Sequence, residues 1–205
     1  MEEKKRERTL IYSIVFSSFG PVVTFIALLM NTSVTQFADF TRRTSELVVL
    51  VLALFVFRLL HSDTIRPARK KTLRKMIYTA VGIALFMAAA LLVFMGLRSI
   101  ANPQIPSGNV WLGVSVAALG VFFNGYFWIR YTLFNKQETD TVMHTQSRLY
   151  QAKTVVDVSV LIALSSVVVF SGEWISYWID LTTTFLISIY LTFRSVRMLI
   201  YSTQQ

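Results

Sequence analysis

Cysteine is absent from the chain, so no disulfide can staple it and no thiolate can ligate a metal. Histidine is nearly absent. Only His61 and His144 occur, and both fall in stretches expected to connect helices rather than to cross a membrane. The sequence places no serine or carboxylate pair to use either of them, so intramembrane enzymatic chemistry is not expected and each reads as an ordinary loop residue. Charge is scarce as well: charged residues make up 15% of the 205 against 54% hydrophobic. Mean hydropathy is +0.56, more apolar than the core of a soluble domain this size requires.

Long apolar runs fill most of the chain. A spanning helix needs roughly 20 mostly apolar residues, and six segments qualify, at about 10–30, 36–60, 76–97, 110–134, 151–171 and 173–201. The first is no signal peptide, because it is long, lacks a small-residue cleavage site and precedes five more spans. The expectation is an all-α membrane protein, a six-transmembrane-helix bundle in which 1–205 forms one domain without a soluble C-terminal domain. Gly20-Pro21 should kink or locally unwind the first span. Trp111, Trp174, Tyr177 and Trp178 are placed for an outer interfacial belt.

The net charge of +9 is distributed by topology. Lys4, Lys5, Arg6 and Arg8 precede span one, and Arg66, Arg69, Lys70, Lys71, Arg74 and Lys75 fill the basic 61–75 loop. Arg130, Lys136 and Arg148 flank the fourth connection, and Arg194 and Arg197 close span six. Of Lys and Arg, the alternate connections at 31–35, 98–109 and 171–173 hold only Arg98. That alternation is the positive-inside pattern and predicts cytoplasmic termini in a bacterial cytoplasmic membrane. The expected partner is the lipid bilayer and not nucleic acid, which would require a basic face with interleaved stacking aromatics.

Span two breaks the apolar pattern with "FADFTRRTSEL". Asp39, Arg42, Arg43 and Glu46 follow the i, i+3, i+4, i+7 rule and share one helix face. Such a face cannot look at lipid, since a charge at the bilayer centre costs at least about 2.5 kcal/mol. Span five carries Lys153 and Asp157, again four apart. At 1.5 Å per residue, Glu46 lies roughly 15 Å and Asp157 roughly 20 Å below the outer ends of their helices, nearly level. Arg42 then lies outward of that level and Lys153 inward. Three bases and three acids sum to zero charge, and cross-helix pairs, Arg42–Asp157 and Lys153–Glu46 with Asp39 serving Arg43, are expected over the weaker base-first i,i+4 pairs.

Together these segments resemble the cation diffusion facilitators, a family of divalent-metal exporters. "SVTQFADFTRRTSEL" is similar to the family's second span, with Arg42 where the family has His or Asp and Glu46 where it has Asp. "KTVVDVSVLIALSS" is similar to its fifth, with Lys153 and Asp157 on the H-x-x-x-D pattern. "GLRSIANP" ends span three as in the family, and "WIDLTTTFLISIYLTFRSVRMLIYS" resembles its sixth span, including Asp180 and Tyr190. The resemblance implies a multi-pass transporter running divalent-metal/proton antiport, usually as a homodimer.

Two of the four implied ion ligands differ in kind. Family members hold Zn²⁺ with imidazole and carboxylate groups at about 2.0–2.2 Å, whereas Arg42 and Lys153 have no lone pair to give. The family's accessory metal site falls on "RKKTLR", where Lys70 and Arg74 replace its His and Glu. Expected, then, are no cofactor, no bound metal, and a substrate or pseudo-metal site of Arg42, Glu46, Lys153 and Asp157 supported by Asp39 and Arg43. The ligand would be an ion or small solute other than conventionally bound Zn²⁺. The alternative is a transport-inactive partner or regulator on a transporter fold, working as a homo-oligomer or with another membrane protein.

Overall fold

The computed structural model describes residues 2–30, 34–61, 66–103, 111–137, 140–170 and 173–204, all but a few of them helical. The helices are α1 (Glu2–Met30), α2 (Val34–Leu60), α3 (Pro67–Ala101), α4 (Trp111–Gln137), α5 (Thr141–Val169) and α6 (Trp174–Gln204). Of the connections expected at 31–35, 98–109 and 171–173, residues 34–35 belong instead to α2 and 98–101 to α3, while 31–33, 104–109 and 171–172 lie outside the described residues, as does the side chain of Trp111.

Three helices reach well beyond their apolar runs, all at the end of the bundle that carries both termini. α1 begins eight residues before the first apolar segment, α3 nine before the third and α5 ten before the fifth. The basic 61–75 stretch is therefore not a loop throughout. Pro67 opens α3, where its missing N–H costs nothing and its fixed φ suits the first turn. His144 is likewise a helical residue rather than a loop residue. It lies in the first turn of α5, behind the N-cap Asp140, whose Oδ1 accepts from the N–H groups of Val142 (2.7 Å) and Met143 (3.1 Å).

The Gly20-Pro21 pair does not unwind α1, which continues as α-helix through both residues. Proline is tolerated inside membrane helices where neighbours satisfy the freed backbone groups.

α3 packs most extensively on α6, α4 on α5 and α1 on α2. Small side chains make the α3–α6 seam close: Ser195 Oγ donates to the carbonyl of Gly82 at 2.8 Å. A Cβ on Gly82 would meet Leu199 at 2.9 Å. Such packing is how helices associate where no hydrophobic effect drives them together.

The outer surface is apolar at mid-helix. Phe19, Phe55, Phe86, Phe122, Ile162 and Ile189, one from each helix, are all more than half exposed. A soluble monomer does not carry so extended an apolar surface. By mean hydropathy alone, the stretches Arg69–Ala101 and Trp174–Thr203 are long and apolar enough to cross a membrane among the described residues.

The aromatic belt is partly corrected. Trp174 and Trp178 are exposed, but Tyr177 is buried and its hydroxyl donates to the carbonyl of Ser99 at 3.2 Å, tying α6 to the end of α3.

Candidate functional site

The central contact joins α2 to α5. Lys153 Nζ lies 3.3 Å from Glu46 Oε2, and only 11% of each side chain is exposed. The ammonium also sits 5.0 Å from the centre of the Tyr150 ring, one turn earlier on α5, in a cation–π arrangement. This is the cross-helix geometry expected of a base-first helix whose own i,i+4 acid is turned elsewhere.

Asp157 is turned towards α4. Its Oδ2 accepts a 2.6 Å hydrogen bond from Asn124 Nδ2, and the carboxylate lies against Gly120, where an added Cβ would stand 2.7 Å from Oδ2. Only a residue without a side chain lets the acid sit there. Lys153 and Asp157 thus share a helix face but reach different neighbours.

Arg43 extends across α1. A Cβ on Gly20 would meet its Nη1 at 3.2 Å and its Cδ at 3.3 Å, so Gly20 provides room for the guanidinium to cross the helix backbone. The sequence suggested a bend at this glycine; the structure gives it a packing role. Asp39 and Arg42 lie on α2, but their side chains are outside the described residues, and with them the pairings Arg42–Asp157 and Asp39–Arg43.

Beneath Lys153, towards the termini, runs a hydroxyl network that sequence reasoning missed. Ser17 Oγ is 3.1 Å from Tyr150 Oη, and Ser13 Oγ is 2.7 Å from Tyr131 Oη. The two tyrosines are fully buried and their rings lie 5.4 Å apart. Ser13 and Ser17 are four apart on α1, and Tyr150 precedes Lys153 by one turn, so the helical period already carried the signal. "FNGYF" carried another, an asparagine in an apolar span.

The two histidines have partners that the sequence did not disclose. His61 Nε2 is 3.5 Å from Asp140 Oδ2 and 3.7 Å from Glu3 Oε1, so carboxylates do surround it. Tyr78 Oη is 3.1 Å from His144 Nδ1. His144 precedes the apolar part of α5, and its pKa is lowered from the ordinary value by burial and secondarily by the Arg148 guanidinium. Among the described residues no three His, Asp or Glu side chains gather as a metal would require.

A comparison with curated proteins finds no match. The family model for the cation efflux transmembrane domain matches residues 10–205, which takes in all six helices and the Glu46–Lys153 contact. The chain belongs to the cation diffusion facilitator, or cation efflux, family: it is an integral membrane protein in the lipid bilayer, built on a cation-transporter transmembrane domain.

Proposed function

We propose that this is a cation-efflux-type transporter in which the protein's own cations stand where family members hold the metal, so that the transported species is not a conventionally bound Zn²⁺. The observation that carries this is the Lys153–Glu46 ion pair at 3.3 Å. A carboxylate engaged by an ammonium gives up lone pairs that a divalent ion needs, and the ammonium repels that ion. Arg42, on the other family ligand position, supports the same conclusion by its chemistry alone.

An ion or small solute that carries its own opposite charges, or a cation able to displace Lys153 from Glu46, suits such a site. Both termini on the basic side of the bundle are taken as cytoplasmic, following the distribution of Lys and Arg.

Calorimetry and flux in proteoliposomes test the proposal together. The wild-type chain is expected to bind Zn²⁺ no better than about millimolar and to move neither Zn²⁺ nor Mn²⁺. Stoichiometric submicromolar zinc binding, or zinc flux abolished by Glu46→Gln, would refute it.

A further inference from the structure

Three arginines converge on a cleft at the end of the bundle that carries the termini. The cleft has a volume of about 20 Å³, is open on one side, and is lined by Leu85 of α3, Arg148 of α5 and Arg194, Arg197, Met198 and Tyr201 of α6. Among the described residues no carboxylate lines it. Among the described residues none of the three guanidinium groups is in a salt bridge.

The guanidinium groups are held by neutral partners. Arg148 Nη1 donates to Gln151 Oε1 at 3.5 Å, and Arg194 Nη2 donates to that same oxygen. Arg194 Nε donates to Tyr190 Oη at 3.1 Å. Arg197 rests 4.5 Å from the centre of the Phe193 ring. One amide oxygen therefore gathers two like charges, with a third beside them, an arrangement that repels itself until an anion enters. Planar guanidinium forks match phosphate oxygens in pairs, which an ammonium cannot do.

We propose that this cleft binds a phosphate group. The apolar flank favours the headgroup of an anionic phospholipid over a free ion, because Phe193, Val196 and Ile200 of α6 are exposed beside it where acyl chains would lie. Basic pockets between membrane helices take such headgroups. The site is distinct from the Lys153–Glu46 contact, and the proposal stands independently of which species is transported.

Thermal unfolding of the full chain in neutral detergent tests this, with phosphatidylglycerol, phosphatidylcholine or inorganic phosphate added. Phosphatidylglycerol should raise the melting temperature by about 5 °C at saturation, and phosphatidylcholine should not. Stabilisation by inorganic phosphate as well would assign the site to phosphate generally, while its failure beside a lipid effect would assign it to the headgroup. The exposed Arg197→Gln, checked by circular dichroism and gel filtration, should weaken the effective anion about tenfold, and Arg148→Gln with Arg194→Gln should abolish the shift. Lys4→Gln with Lys75→Gln, outside the cleft, should leave it intact. No shift with either anion, or an equal loss in the Lys4/Lys75 control, would overturn the proposal.

Discussion

Gly120 and Asp157 touch so closely that a methyl group on the glycine would stand 2.7 Å from the carboxylate oxygen that Asn124 Nδ2 holds at 2.6 Å. α4 thereby positions the family's span-five acid. Gly120→Ala should push the carboxylate off Asn124 and destabilise the bundle by about 1–3 kcal/mol, the usual cost of overpacking. Thermal unfolding in detergent reads this directly. Unchanged stability would mean that the acid has room to move and that α4 does not fix it.

The ion pair between Lys153 and Glu46 predicts strong coupling. Lys153→Ala alone should cost about 3–5 kcal/mol, because a buried carboxylate loses its cation, whereas Lys153→Met with Glu46→Leu should recover most of that loss. A double-mutant cycle in unfolding free energy measures the difference. Additive losses would deny that the two groups act as a pair.

His144 predicts a pH dependence with a definite sign. It is faced by Tyr78, Tyr201 and Arg148, and its partner Tyr78 in turn feels Arg74 and Asp140. Burial first, and Arg148 second, lower its pKa in the folded protein below the ordinary 6.5. The neutral imidazole's contribution to stability is therefore complete above pH 6.5 and is lost as pH falls through the lower folded value. Melting temperatures measured from pH 7.5 to 5 should fall less steeply for His144→Asn than for wild type. Parallel profiles would remove His144 as the cause.

The absence of cysteine makes topology easy to probe. Thr72→Cys on the basic start of α3 and Glu173→Cys at the opposite end are both at exposed positions. In intact cells an impermeant maleimide should label the Glu173 variant and spare the Thr72 variant. The reverse pattern would invert the proposed orientation.

Six helices were legible because span length and apolar content are set by the bilayer, and the family pattern on Glu46 and Asp157 was legible because helical spacing fixes which residues share a face. Helix extent was not: the polar first turns of α3 and α5 have no apolar signature, and only Pro67 and the Asp140 cap mark where they begin. Partner choice was also hidden. Lys153 and Asp157 share a face in sequence, yet one reaches α2 and the other α4, because Gly120 leaves a place for the acid that spacing along α5 cannot reveal. The same limit concealed Tyr177, whose position near a helix end suggested the membrane interface while its hydroxyl is satisfied by Ser99 inside the bundle.

The central claim, that side-chain cations occupy the family's ion position, is tested most directly by restoring imidazoles there. The measurement is Zn²⁺ binding by calorimetry, with flux in proteoliposomes, for wild type and for Arg42→His with Lys153→His. With Glu46 and Asp157 retained, the double variant has two imidazoles and two carboxylates, a four-ligand set suited to zinc. It should gain zinc affinity by at least about a hundredfold, some 2.7 kcal/mol, while the wild type shows neither tight binding nor flux. Wild-type protein that binds and moves zinc as well as the double variant would contradict the account.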